Sequence, residues 1–283
     1  MTKSESTRTV LITGTSTGIG LATALAAAEA GWQVVATMRD TARSGALLDA
    51  AKEAGVADRI EVRPLDVTDA AAAEACVAGV VADHGRLDAV VNNAGSGHVG
   101  TLEQEGIEAV RDVMEVNFFG VLHVTKAALA HLRAAHGRVI TVTSVGGVIG
   151  QPFNEAYCAA KFAVEGFMES LAPVAGSLGV AVSVVEPGPV TSEFVSNVGV
   201  GPGAVEAAGP YGPALAAYLE RTRGAFANAQ TSAQAAAPIV EALQAPRPAF
   251  RIQTSAAAAA FAGGKLADLD GSAVQAMTSA WIS

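Results

Sequence analysis

The sequence predicts one α/β domain in which a parallel sheet is covered by helices on both faces. Three observations carry that expectation. Short β-branched runs alternate with Ala-rich helical stretches along most of the chain. A glycine-rich turn follows the first such run and opens the first helix. The 283 residues suffice for a single large core and do not demand a second domain.

Taken in order, strands are expected at residues 10–13, 33–37, 60–65, 88–91, 138–143 and 180–186. Between them, helices are expected at 19–30, 41–54, 69–83, 101–115, 118–135 and 157–178, lengths that suit right-handed crossovers. After residue 186 the rhythm breaks. A Pro/Gly-rich stretch at 187–213 reads as irregular, followed by a helix at 231–243 and a short last strand within 249–254. The extension at 255–283 opens with a simple tail, 255–264, whose composition suits either a helix or loose order.

Composition narrows the function classes. A net charge of -9 repels phosphate backbones, and the basic residues form no stripe, so nucleic acid is not an expected partner. Hydrophobic residues reach 51%, but Ala and Val supply much of that, and the Ala-rich run 256–262 is too short to cross a bilayer; no membrane span is expected. The polar opening MTKSESTR has no signal-peptide core, and Cys76 and Cys158 lack metal or disulfide spacing, which together suggest a cytoplasmic protein with reduced thiols. His131 and His136 lie on different helix faces, so no metal site is expected.

The first half carries the features of a nucleotide site. In Gly14-Thr15-Ser16-Thr17-Gly18-Ile19-Gly20 the glycines let the backbone turn tightly and approach a pyrophosphate at a helix N-terminus. A structural strand-to-helix turn would explain the same residues. The second strand ends Met38-Arg39-Asp40 where an adenosine ribose is expected; Arg39 offers a charged fork to a 2′-phosphate, whereas a register shift would make Asp40 a ribose ligand. NADP is therefore favoured, with NAD left open. Asp66, followed by Val67, either accepts from an adenine amino group or caps the helix that begins near Asp69. Asn93-Ala94-Gly95 lets the chain pass under a cofactor, with Asn93 bracing backbone, or is an ordinary turn.

The second half carries the chemistry. Tyr157 and Lys161 are four apart on a helix, so they share a face, and a nearby ammonium can lower a phenol pKa by roughly 1 to 3 units toward a useful range. Such a pair is also common on amphipathic helices. Ser144 closes the fifth strand and can hold a substrate oxygen beside Tyr157. Asn117 stands among large apolar residues; a kinked helix would account for it, as would an amide that faces Lys161 and holds a water.

The complete order of TGxxxGIG, NAG, Asn117, Ser144, YxxxK and Pro187-Gly188 resembles the short-chain dehydrogenase/reductase family over roughly residues 7–254. Residues 151–166, QPFNEAYCAAKFAVEG, are similar to its branch containing estradiol 17β-dehydrogenase and retinol dehydrogenase, which generally prefers NADP. The resemblance implies a Rossmann-type, doubly wound sheet of seven parallel strands and a tetrad of Asn117, Ser144, Tyr157 and Lys161. It further implies metal-free hydride transfer between nicotinamide and an alcohol or carbonyl, with Lys161 on the nicotinamide ribose. Pro187, Gly188 and Val190 would flank the cofactor, and Ser192, where the family usually has Thr, would contact the carboxamide. A homodimer or homotetramer is implied, consistent with apolar residues on several faces of the 157–178 helix, among them Phe162, Val164, Phe167 and Met168.

Aromatic residues spread over 190–230, namely Phe194, Tyr211, Tyr218 and Phe226, suggest a lid over an apolar ligand, with Phe153 at the catalytic end. A bulky hydrocarbon ketone or alcohol is the expected substrate. All 5 histidines lie at or before His136, so the lid has none to hold a second oxygen, which argues against a steroid. Two other functions stay open. A 3-oxoacyl-thioester or polyketide ketoreductase would need less chain beyond Phe194, and a non-catalytic dinucleotide sensor would tolerate loss of Tyr157 or Lys161, which are intact.

Overall fold

The computed structural model describes residues 7–192, 201, 203–226 and 228–282. Its centre is a seven-stranded sheet in the order β3-β2-β1-β4-β5-β6-β9. The strands are β1 (Thr9–Thr13), β2 (Gln33–Met38), β3 (Ile60–Pro64), β4 (Ala89–Asn92), β5 (Arg138–Val142), β6 (Ala181–Glu186) and β9 (Arg251–Gln253). All neighbours run parallel, with Val10 opposite Val34 and Ala89. This is the single-domain, doubly wound fold that the sequence predicts.

Alternation along each strand divides the core in two. Val10 and Ile12 face a layer with Trp32, Val34, Leu47, Ile239 and Leu243, built on α1 (Gly18–Glu29), α2 (Gly45–Glu53) and α9 (Ser232–Gln244). Leu11 and Val35 face the opposite layer with Val77, Val124, Leu132 and Met168, built on α3 (Ala70–His84), α5 (Gly120–Ala135) and α6 (Glu155–Gly176). Because both faces are covered, the strands read as continuous apolar runs rather than alternating ones.

Helix starts and stops follow local chemistry. Asp69 caps α3 by accepting from the Ala72 N–H at 3.0 Å, and Gly85, with φ of 73°, ends it. Thr231 and Gln234 form a reciprocal capping box on α9. The sheet order reverses between β1 and β4, and the carboxyl ends of those strands open there into a cleft.

The structure departs from the sequence expectation in four places. Residues 41–54 begin as a 3₁₀ turn, Thr41–Ser44, before α2. The helix expected from residue 101 starts only at α4 (Ile107–Met114), because tertiary bonds hold the segment before it. Gly100 N–H donates to Phe153 O at 2.9 Å, and the Gln104 side chain donates to Ala208 O at 2.7 Å. A five-residue π-helix, Glu115–Phe119, joins α4 to α5. The Pro/Gly-rich stretch is also less irregular than expected. After β7 (Val190–Thr191), which pairs with β8 (Gln230–Thr231), it contains α7 (Ala204–Ala207) and the start of α8 (Gly212–Phe226). Pro213 lies in the first turn of α8, where a missing N–H costs no helical bond, so it begins the helix rather than breaking it.

The extension is helical, as α10 (Ala256–Leu266) and α11 (Ser272–Ser279). Phe261 stacks on Trp281 at 6.0 Å, and the Arg221 guanidinium of α8 lies 3.4 Å over the Trp281 ring. The continuous helical run Ile107–Ala135 is long and apolar enough by composition to cross a membrane. Its Val121, Val124, Ala128 and Leu132 are buried within the second core layer.

Candidate active site

The glycine turn leaves β1 and enters α1 under close steric limits. Gly14 and Gly18 have φ of 69° and 63°, which side-chain-bearing residues rarely adopt. A Cβ on Gly14 would come within 2.8 Å of Ala94 Cα, and one on Gly20 within 2.2 Å of Gly14 O. Thr17 occupies the N-cap of α1 without a side-chain cap, and no acidic residue stands in the first turn, so the first N–H groups stay available to an anion. Asn93 braces the turn through Nδ2, which donates to Thr13 O at 2.9 Å and Gly14 O at 3.0 Å.

A cleft of about 1140 Å³ runs from this turn across the strand ends. Of the residues singled out for the cofactor, Gly14, Ser16, Thr17, Gly18, Ile19, Arg39, Asp66, Val67, Asn93, Ala94, Gly95, Pro187, Gly188, Val190 and Ser192 line it. Gly20 lies beneath as a close-packing residue. Thr15 does not belong with them. It is fully buried, and both its N–H and its hydroxyl donate to Thr37 O, so it ties the turn to β2.

The two acidic alternatives at the adenosine end separate clearly. Asp40 accepts from the Ala42 N–H at 3.0 Å and caps the 3₁₀ turn, and it lines the cleft together with Arg39 and Arg43. The cap of α3 is Asp69, not Asp66. Asp66 instead accepts two bonds from Thr68, which hold its carboxyl below the ordinary value.

At the other end, Ser144, Tyr157 and Lys161 line the same cleft from the end of β5 and the first turns of α6. The Val145 N–H donates to Pro187 O at 3.0 Å, tying the Ser144 turn to the segment after β6. Ser144 Oγ accepts from the Gly146 N–H at 2.9 Å and shares a hydrogen bond with Tyr157. Lys161 is buried, its Nζ 5.7 Å from the Tyr157 ring centroid and donating to Val142 O at 3.2 Å. Burial drives the Lys161 pKa down to about 8, opposed by the charge of Glu165. Burial also raises the Tyr157 phenol, and the group that pulls it back is Ser144 rather than the expected Lys161.

Asn117 sits in the π turn and is fully buried. Its Nδ2 donates to Ser96 O at 3.0 Å and Val113 O at 3.1 Å, and its Oδ1 accepts from the Ser96 N–H at 3.2 Å. The amide is thus engaged by main chain and fixes the Gly95-Ser96 loop. Gly95 keeps that loop close, since a Cβ there would lie 2.8 Å from Asn117 Oδ1 and 3.5 Å from Lys161 Nζ.

The expected substrate residues fare less well. Tyr218 lines the cleft from α8, its hydroxyl accepting from Asn154 Nδ2 at 2.5 Å. Phe153 does not line it; held at φ of 57°, it packs behind Tyr218 with ring centroids 5.8 Å apart. Tyr211 points away and donates to the Glu103 carboxylate. Phe194 lies outside the described residues. Sequence reasoning also missed Ser96, His98, Val99, Gln151, Asn154, Leu219, Thr222 and Arg223, all of which line the cleft. Tyr218, Leu219, Thr222, Arg223 and Phe226 form one helix face, a spacing the sequence displays once this stretch is read as helix. His98, whose Nε2 lies 2.8 Å from Glu105 Oε2, corrects the argument from histidine positions: the lid has none, but the opposite wall does.

Comparison with known proteins agrees with this geometry. Residues 8–201 match the family model for short chain dehydrogenases. The chain is 41% identical over 252 residues to 17-beta-hydroxysteroid dehydrogenase type 1 of Mus musculus, covering 86% of this chain and 72% of that protein. It is 40% identical over 263 residues to retinol dehydrogenase 8 of Bos taurus, covering 89% and 82%. Among solved structures, a short-chain dehydrogenase from Streptomyces avermitilis superposes with a TM-score of 0.76 at 33% identity, over 98% of this chain and 97% of that one. The chain belongs to the short-chain dehydrogenase family, oxidoreductases that act on CH–OH groups.

Proposed function

We propose that this protein is an NADP-preferring oxidoreductase that interconverts a bulky, largely apolar alcohol and its ketone or aldehyde, with Tyr157 as the acid and base. The observation that carries the reading is a single cleft lined by the glycine turn at one end and by Ser144, Tyr157 and Lys161 at the other. The residues fit a dinucleotide: a cradle that a Cβ would fill, uncapped N–H groups at the start of α1, and Arg39 at the end of β2. Asp40 caps the 3₁₀ turn through one oxygen, and the guanidinium groups of Arg39 and Arg43 both line this end of the cleft, where they suit a 2′-phosphate, which favours NADP over NAD.

When bound, the nicotinamide supplies the hydride chemistry at its C4 and, oxidised, a local positive charge. The chain's own residues handle the oxygen and its proton. Ser144 holds the substrate oxygen by a hydrogen bond, and Tyr157, already bonded to Ser144, gives or takes its proton. Lys161 holds the nicotinamide ribose and adds positive charge beside the phenol, while Asn117 keeps the Gly95-Ser96 wall in register. Val99, Val145, Leu219 and Phe226 provide an apolar wall for the body of the substrate. Both cysteines are free thiols, which fits the reducing cytoplasm.

An NADPH-oxidation screen over ketones and aldehydes of graded size identifies the best substrate. With that substrate, Tyr157→Phe should lower turnover by roughly 10²- to 10⁴-fold, the range for lost acid/base catalysis, and leave cofactor affinity nearly unchanged. Near wild-type turnover in this variant would overturn the assignment.

A further inference from the structure

Behind the reacting side chains lies a buried ionic cluster that the scheme above does not use. Glu165 follows Lys161 by one turn on α6, so the two share a helix face. It is 4% exposed, and its Oε1 accepts from Thr143 Oγ1 at 2.5 Å. Thr143 directly precedes Ser144, and a Cβ on Gly147 would lie 3.1 Å from Glu165 Cγ, so this side chain abuts the turn that carries Ser144 from both sides.

The other charges around Glu165 come from three elements. Its Oε2 has no hydrogen-bond partner and lies 3.5 Å from Arg251 Nη2, on β9. Glu169, one turn further along α6, contacts the same Nη2 at 2.9 Å. Glu186, at the end of β6, lies 3.9 Å from Arg251 Nε and accepts from Gln253 Nε2 at 2.9 Å. Three carboxylates thus share one guanidinium, Glu165 and Glu186 buried and Glu169 exposed. Among the described residues, no carboxylate forms an ion pair with Lys161 within 4 Å, and Glu165 is the group whose charge opposes the loss of its proton. On Glu165 itself burial is the largest influence and drives the pKa up to about 7, with Glu186 and Glu169 adding to the rise and Thr143 and Arg251 opposing it.

We propose that Glu165 is a positioning residue for the reaction: its carboxylate is the counter-charge that holds Lys161 as an ammonium and, through Thr143, fixes the strand end that carries Ser144. The proposal rests on the role given to Lys161 above. It also gives the C-terminal strand β9 a part in the site, since the Arg251 charge opposes the proton uptake that burial favours at Glu165.

The direct test is a titration of the cofactor-free protein with ¹³Cε-labelled lysine, the Lys161 signal being assigned by its absence in Lys161→Met. Glu165→Gln keeps the size and an oxygen for Thr143 but removes the charge. The Lys161 midpoint should fall by about one pH unit or more, because loss of a nearby negative charge disfavours the ammonium. The alkaline limb of kcat/KM should move down by the same interval, so that activity at pH 9 falls roughly tenfold further below its neutral value than in the wild type. Glu165→Asp retains the charge but shortens the reach to Thr143, and should lower kcat while leaving the Lys161 midpoint close to wild type. An unshifted midpoint in Glu165→Gln overturns the proposal; if only the Asp variant folds, a midpoint lowered there by a unit or more overturns it. Lys161→Met with near wild-type turnover would instead overturn the role of Lys161 itself, a separate outcome.

Discussion

Arg39, at the end of β2, is the side chain proposed to read the cofactor's 2′-phosphate. Its neighbour Asp40 is equally well placed in the sequence and also lines the cleft, but it caps the turn before α2 through one carboxylate oxygen. Arg39→Ala should weaken NADPH binding by roughly 10- to 100-fold, the loss of charge-assisted hydrogen bonds, and NADH binding much less. Fluorescence titration with both cofactors checks this, and equal losses would show that Arg39 does not read the 2′-phosphate. The Ser144-Tyr157 pair makes a related point. The spacing of Tyr157 and Lys161 is legible as a shared helix face, but the balance of forces on the phenol is not. Burial raises it and Ser144 lowers it, and burial is a property of the packed protein alone.

At the scale of elements, α8 supplies one wall of the cleft. Read as an irregular lid, residues 190–230 offer every aromatic ring as a contact. In the structure α8 sends the rings of Tyr218 and Phe226, with Leu219, to the cleft, while Tyr211, in the turn just before α8, bonds to Glu103. Catalytic efficiency should rise along a homologous ketone series by up to about 0.8 kcal/mol per buried methylene until the pocket fills. Leu219→Ala should flatten that rise, and Tyr211→Phe should leave it unchanged. Steady-state kinetics on the series reads both, and a preference for small or sugar-like carbonyls would reject an apolar site. The π turn at 115–119 is the other decisive element. It buries Asn117 against Ser96, and a stretch of helix-compatible residues gives no sign of which register the backbone takes.

For the whole molecule, the exposed apolar surface points to self-association. Of the apolar residues on several faces of α6, Val164 and Met168 are buried in the protein's own core and are not available to a partner. Phe119, Phe162 and Phe167 remain 40%, 37% and 41% exposed, and Phe118 bridges two of them, with ring centroids 5.1 Å from Phe119 and 6.1 Å from Phe167. A homodimer or homotetramer covering this surface is the expected state, and light scattering that returns a monomer mass at micromolar concentration would reject it. The sequence by itself determined the layered sheet, the glycine turn and the placing of Ser144 and Tyr157 at strand and helix ends. Those features rest on local periodicity and on backbone limits that only glycine meets at Gly14, Gly18 and Gly20. The tertiary structure alone decided that Thr15 braces β2, that Phe153 lies behind Tyr218, that His98 reaches the cleft and that Glu165 sits beneath Ser144. Each of these depends on contacts between residues far apart in the chain, and the direction of a side chain there is set by which neighbours fill the space around it rather than by its own segment.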